Sequence, residues 1–273
     1  MRFIIMGDLH YSLMGDSAAD ILEARDRVYE EMLEHFVGLD AEFHISIGDL
    51  THEGLPEEFH YVFNRIGSSE RNFIQVLGNH DAYRLPKADI TALTGQQRYH
   101  VIDSDEVMLI FLDTTKEMNR DDWGGEMEAE QLEWLKVQLD QSGHKPVFIF
   151  AHHPVYGTTA HSTMEKMSID PSIDMLDLLN RKKGPGFYFC GHNHINSIVQ
   201  KENWHYIQTA ACLDVPAFRT VELTDRGIQI DLVAIDKTEL AEHIALFNSK
   251  IPGFTPFSSA LGESADQSLH VIF

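Results

Sequence analysis

The sequence predicts an α/β fold built on parallel strands, and three observations carry that expectation. Short apolar runs stop at a glycine followed by a polar residue, at Gly7-Asp8, Gly48-Asp49 and Gly78-Asn79. Segments of helical periodicity separate these runs, so the pattern reads β-α-β-α-β. Strands joined through helices run parallel and bring their C-terminal ends to one edge, where open α/β sheets place ligands.

Taken in order, residues 2–6 form the first strand. Residues from about 17 to 37 set Ile21, Val28, Met32 and Phe36 near helical spacing, with Asp16 or Ser17 as the cap. A strand over 43–47 follows, and Pro56 opens a helix with Phe59, Phe63 and Ile66 on one face. Residues 72–77 form the third strand, ending in Gly78-Asn79-His80-Asp81. Strands are expected at 99–102 and 107–112, a polar loop at 113–125, and a helix at 126–139 with Leu132, Leu135 and Leu139 inward. The strand 146–150 runs into Ala151-His152-His153-Pro154, and a loop rich in Thr, Ser and His reaches Ser168. A helix over 171–179, capped by Asp170, precedes the buried strand 187–190, which Gly191 breaks before His192-Asn193-His194. Meander strands are expected near 196–200, 205–209, 218–223 and 228–233. Thr238 caps a last helix to about Asn248, and the tail from Pro252 has no assignment. The chain shows no repeat and no low-complexity tract.

Composition bounds the function classes. The 273 residues are 43% hydrophobic, enough for one large domain or two small ones. Lys and Arg number 21 against 43 Asp and Glu, a net charge of -22, and no basic cluster is interleaved with aromatics. That surface repels a phosphate backbone, which argues against long nucleic acids and anionic membranes as partners. Two cysteines, Cys190 and Cys212, make no disulfide framework and suit free thiols in the cytosol. The apolar N-terminal stretch is too short for a signal peptide, and no run nears the ~20 apolar residues of a spanning helix. A cytoplasmic protein is expected.

The polar residues at the strand ends are Asp8, His10, Asp49, Asn79, His152, His192 and His194. Singly, each has a bland reading. An Asp after a strand is usually a turn or cap, a His near a core is usually packed, and Asn79 after glycine tolerates a left-handed turn. Jointly the bland reading fails, because five strand ends would carry suitable types by accident. Oxygen and imidazole donors without thiolate suit Mn, Fe, Zn or Co. Seven ligands exceed one tetrahedral shell but fit two ions sharing a carboxylate. Such a pair, about 3.5–4 Å apart, would hold a hydroxide between them and clamp a phosphoryl oxygen.

The set Asp8-x-His10, Gly48-Asp49, Gly78-Asn79-His80-Asp81, Ala151-His152-His153-Pro154 and Gly191-His192-Asn193-His194 resembles the calcineurin-like metallophosphoesterase superfamily over about residues 2–235. The resemblance implies a four-layer α/β/β/α sandwich and two divalent or mixed-valence ions. One ion would take Asp8, His10, Asp49 and His194; the other would take Asp49, Asn79, His152 and His192. It further implies that His80 contacts the phosphate and assists the leaving group, with Asp81 orienting its ring. Gly48-Asp49-Leu50-Thr51 and Gly54-Leu55-Pro56-Glu57-Glu58-Phe59 are similar to class III cyclic-nucleotide phosphodiesterases and bacterial glycerophosphodiesterases. Purple acid phosphatases carry a tyrosine three residues after the bridging Asp, where this chain has His52. His52 and His153 are candidates for substrate contact, and specificity is expected in loops 11–16, 52–56, 83–96, 114–125 and 155–169.

The expected function is therefore phosphodiester hydrolysis of small phosphorylated substrates by a catalytic domain at 1–235, with 236–273 as a helix and tail packed on it or extending from it. Phosphomonoester or pyrophosphate hydrolysis on the same site is the alternative, and a metal-free interaction scaffold is the alternative of another class. The oligomeric state stays open, a homo-oligomer included.

Overall fold

The computed structural model of the chain describes residues 1–235 and 238–272. Two six-stranded sheets form its centre. In the first, β1 (Arg2–Met6), β2 (Phe43–Ser46) and β3 (Phe73–Gln75) are parallel. β10 (Ala217–Thr224), β11 (Gly227–Ala234) and β12 (Ser268–Ile272) add to it antiparallel, in the order β12-β11-β10-β1-β2-β3. The second contains β4 (His100–Asp103), β5 (Met108–Phe111), β6 (Val147–Phe150), β7 (Gly186–Cys190), β8 (Ser197–Lys201) and β9 (Trp204–Gln208). Its order is β4-β5-β6-β7-β9-β8, with β5, β6, β7 and β9 parallel.

Alternation along each strand builds the layers. Phe3 and Ile5 of β1 meet Phe148, Phe150, Phe187 and Phe189 between the sheets. Phe111, Phe150 and Phe189 stack across neighbouring strands at 5.0 and 5.3 Å. Ile4 and Met6 face the other way, onto α1 (Ala19–Gly38), α2 (Pro56–Gly67) and α6 (Thr238–Phe247). Val147, Ile149, Tyr188 and Cys190 cover the far face of the second sheet under α4 (Ala129–Ser142) and α5 (Met175–Leu179). The result is the expected α/β/β/α sandwich.

Several local expectations are corrected. Neither Asp16 nor Ser17 caps α1; Ala18 stands there without a side-chain bond. Residues 87–94, expected as loop, form α3 (Lys87–Thr94), with Ile90 packed on Phe59 and Leu77. The start of α4 is delayed because Gly125 and Glu126 are held by the carbonyls of Ser168 and Thr114. α5 is capped by Asp174, which accepts from the Asp177 amide, while Asp170 closes a turn at Ser172. The strands after 196 are not one meander: β8 and β9 join the second sheet, and β10 to β12 the first. The expected Thr238 cap lies outside the described residues. Among the described residues no helix is long and apolar enough to cross a membrane.

Candidate metal centre

The C-terminal ends of β1, β2 and β3 meet those of β6 and β7 at one edge of the sandwich. His10, Asp49, His192 and His194 there all have positive φ, between 48° and 70°. Left-handed backbone at a residue with a Cβ is costly, and such strain gathers at functional sites. The glycines before them are sterically required. At Gly48, with φ +103°, a Cβ would lie 2.4 Å from His152 Nδ1; at Gly191 it would lie 2.1 Å from Asp8 Oδ1. Gly48→Ala is expected to cost about 2–4 kcal/mol, from overpacking plus backbone strain, measurable by urea unfolding.

Two clusters of donor atoms result. The ligand atoms of Asp8, His10, Asp49 and His194 lie within 4.8 Å of one another. His10 Nε2 is 3.0 Å from His194 Nε2, which is 3.2 Å from Asp8 Oδ2. In the other cluster, Asn79 Oδ1 is 3.0 Å from both His152 Nε2 and His192 Nδ1, and those nitrogens are 3.2 Å apart. Asp49 Oδ2 stands between, 3.7 Å from His10 Nε2 and 3.4 Å from His152 Nε2. Asp49 Oδ1 accepts from the His80 amide at 2.8 Å.

The far side of each ring decides which lone pair faces inward. A carbonyl oxygen can only accept, so His152 Nδ1 donates to Ile47 O (3.0 Å) and His192 Nε2 donates to Lys166 O (2.9 Å). His52 Nε2 donates to Pro252 O (2.7 Å), leaving its Nδ1 to accept from His10 Nδ1 at 3.3 Å. For His152, His192 and His10 the outward nitrogen carries the proton of the neutral ring, so the neutral form presents its inward nitrogen as an acceptor, the tautomer a metal ligand needs. Asp8 Oδ1 is buried with no hydrogen-bond partner. An unpaired buried carboxylate oxygen beside imidazole lone pairs fits a cation.

The family model described as calcineurin-like phosphoesterase matches residues 1–196. The chain belongs to the calcineurin-like phosphoesterase family. Relatives include the glycerophosphodiester phosphodiesterase GpdQ of Enterobacter lignolyticus, 26% identical over 159 residues. That match covers 56% of this chain and 56% of that protein, so the chain spans little more than half the relative's length. A probable cyclic nucleotide phosphodiesterase of Xenorhabdus bovienii is 23% identical over 223 residues, covering 78% of this chain and 84% of the relative. In fold, a dimetal phosphatase from Danio rerio superposes with a TM-score of 0.72 at 14% identity, covering 86% of this chain and 96% of that one.

Electrostatics in this calcineurin-like centre follow from burial against close charges. Burial opposes the charged form of His152, but Asp49 beside it pushes the ring up to about 9. Burial likewise opposes His194, but the Asp214 and Asp8 carboxylates, which accept from its protonated ring, raise it to about 10. Burial, then His152, pulls His192 down to about 3. Burial alone would raise the Asp49 carboxyl, but His152 and His80 hold it well below the usual range. The pattern is that of an ionised Asp49 with imidazoles gathered round it.

All seven residues expected as ligands are brought together. Other expectations change. His153 is fully buried, with Nδ1 on Thr114 Oγ1 (2.8 Å) and Nε2 on Trp123 O (2.9 Å), so it pins loop 114–125 and has no nitrogen left for substrate. His52 is also buried and sits behind His10, spent on Pro252 and on that ring. Asp81 does not orient His80. Its oxygens accept from the amides of Leu50, Thr51 and Gly78 and from Thr51 Oγ1, which braces the loop after β2 against the loop after β3. The His80 ring is instead held at Nδ1 by the His52 carbonyl, 2.6 Å away.

Sequence reading missed Asp214, whose Oδ2 lies 3.5 Å from His194 Nδ1, and Tyr83 as the partner of Asn79, which donates to its hydroxyl at 2.7 Å. It also missed the buried Arg219, which donates to Gln208 O, Asp266 O, Asn196 Oδ1 and Thr209 Oγ1. Tyr83 lies beside the His80 ring at 4.6 Å, and Arg120 covers Tyr83 at 4.7 Å. Arg120 and Arg84 both pair with Glu53 at this rim.

Proposed function

We propose that this chain is a metal-dependent phosphodiesterase for small substrates of the glycerophosphodiester or cyclic-nucleotide type. The observation that carries the reading is Asp49 Oδ2, set between two donor clusters that each present imidazole lone pairs inward. Asp8, His10, Asp49 and His194 would hold one ion, and Asp49, Asn79, His152 and His192 the other. Two such ions, when bound, lower the pKa of water and withdraw charge from phosphoryl oxygens.

The chain's own groups do the rest. Tyr83 fixes the Asn79 amide so that its oxygen, not its nitrogen, faces His152 and His192. The Asp49 carboxylate holds the His80 backbone, and the His52 carbonyl holds the His80 ring at Nδ1. The Nε2 edge of His80 is then left for the leaving oxygen, where the ring would act as the general acid. Arg120 and Arg84 at the rim bring positive charge to the mouth of an otherwise acidic protein, which favours entry of an anionic ester. The same reading treats 1–235 as the catalytic domain with 236–273 as its packed extension, and places the protein in the cytosol.

The test is hydrolysis of bis-p-nitrophenyl phosphate against p-nitrophenyl phosphate after reconstitution with Mn, Zn, Fe or Co, with metal analysis of the same samples. A diester preference and two equivalents per chain are expected. A tenfold monoester preference would turn the reading to a phosphomonoesterase. Under one equivalent after supplementation would favour the metal-free scaffold.

A further inference from the structure

The segment after α6 lies beyond the residues the family model matches, and its contacts with the centre fall on one half of it. Pro252 O accepts from His52 Nε2, and His52 Nδ1 faces His10 Nδ1. The Phe254 ring lies 5.3 Å from the His10 ring and 5.3 Å from the His194 ring. The Phe257 amide donates to Asp214 Oδ1 at 2.8 Å, and Asp214 Oδ2 lies against His194 Nδ1. Both histidines of the Asp8–His10–His194 half are thus backed, through one intermediate side chain each, by residues 252–257. The other half is backed by the body: His152 by the Ile47 carbonyl at the end of β2, and His192 by the Lys166 carbonyl.

We propose that residues 251–257, with His52 and Asp214, are positioning groups for the Asp8–His10–His194 half of the centre, so that cation binding there and docking of this segment are coupled. The inference rests on the dimetal reading above. Pro252 O admits only a donor, so it fixes the His52 tautomer. His52 Nδ1 in turn accepts from His10 Nδ1–H, which leaves His10 Nε2 as a lone pair. Undocking the segment frees His52 to place its proton on Nδ1, which would face the His10 Nδ1–H and push that ring toward the wrong tautomer. At His194 the Asp214 carboxylate, 3.5 Å from Nδ1, favours the proton on that nitrogen by charge, and the Phe257 amide holds Asp214 in place. Phe254 closes the space beside both rings. The segment is itself anchored: Ile251 and Phe254 are buried in the core of α1 and α6, and Ala260 O accepts from the Asn196 amide at 2.8 Å. Coupling of this kind is reciprocal, so a cation in that half must hold the segment down as much as the segment holds the cation.

The experiment uses the full chain titrated with Zn and followed by calorimetry and metal analysis. His52→Phe keeps a ring against His10 but removes both nitrogens. Wild type is expected to bind two equivalents. His52→Phe is expected to bind one as before and the other about 10–100-fold more weakly, the usual effect of removing a ligand's hydrogen-bond partner. Equal weakening of both, or of neither, would overturn the proposal, since a merely structural role has no reason to choose one half. Should that variant misfold, wild-type hydrogen exchange decides. Amides of 251–262 are expected to slow when both equivalents are bound compared with none, and unchanged exchange would overturn the coupling. Wild type that binds under one equivalent would instead remove the dimetal reading itself.

Discussion

Asp49→Asn is expected to lower metal content from two equivalents to at most one per chain and turnover by at least about 10²–10³-fold. The substitution is chosen because it separates charge from shape. Asn can still offer an oxygen to the His80 amide where Asp49 Oδ1 now accepts at 2.8 Å, so the loop bearing His80 keeps its anchor. What disappears is the anionic oxygen between His10 and His152. That oxygen is adjacent to both clusters, so its loss weakens both half-sites at once, whereas loss of His10 or His192 weakens one. Metal analysis by plasma mass spectrometry alongside the diester assay reads the result. Two equivalents and a normal rate in Asp49→Asn would contradict the bridging assignment.

How much of this was legible beforehand depends on whether the cause was local. The recurring glycine was legible because its cause sits one residue away: Gly48 must leave room for His152, and Gly191 for Asp8. The convergence of the seven candidate ligands was legible because parallel topology alone brings strand ends together. The split of the late strands between two sheets was not, since β7 pairs with β9 across the β8 hairpin rather than with its sequence neighbour. Helix α3 was hidden because Pro86 and a polar run resemble a loop, and what fixes it is Ile90 packing on Phe59 and Leu77. The roles of His52, His153 and Asp81 were misread for one reason. Each is a polar residue beside a motif, and only its distant partner, Pro252, Trp123 or the Leu50 and Thr51 amides, shows that it supports the site from behind.

His80→Ala is expected to keep both equivalents of metal and to lose turnover in proportion to how badly the leaving group needs a proton. His80 is partly exposed and is not one of the seven candidate ligands, and it has its amide on Asp49 and its Nδ1 on the His52 carbonyl. Those two bonds fix the ring without using Nε2. An alkoxide leaving group is a strong base and departs slowly unless protonated, so a glycerol-type diester should lose about 10²–10⁴-fold in kcat. p-Nitrophenolate is a weak base that leaves without a proton, and bis-p-nitrophenyl phosphate should lose far less. The ratio of the two losses is therefore the measurement that assigns the role. A large loss for the alkyl ester with a small one for the aryl ester places His80 at the leaving oxygen. Equal losses would mean that the ring acts on the phosphoryl group common to both substrates. Loss of metal in His80→Ala would mean that the centre depends on the His80 side chain to keep its shape, and the separation of roles between the clusters and this ring would fall.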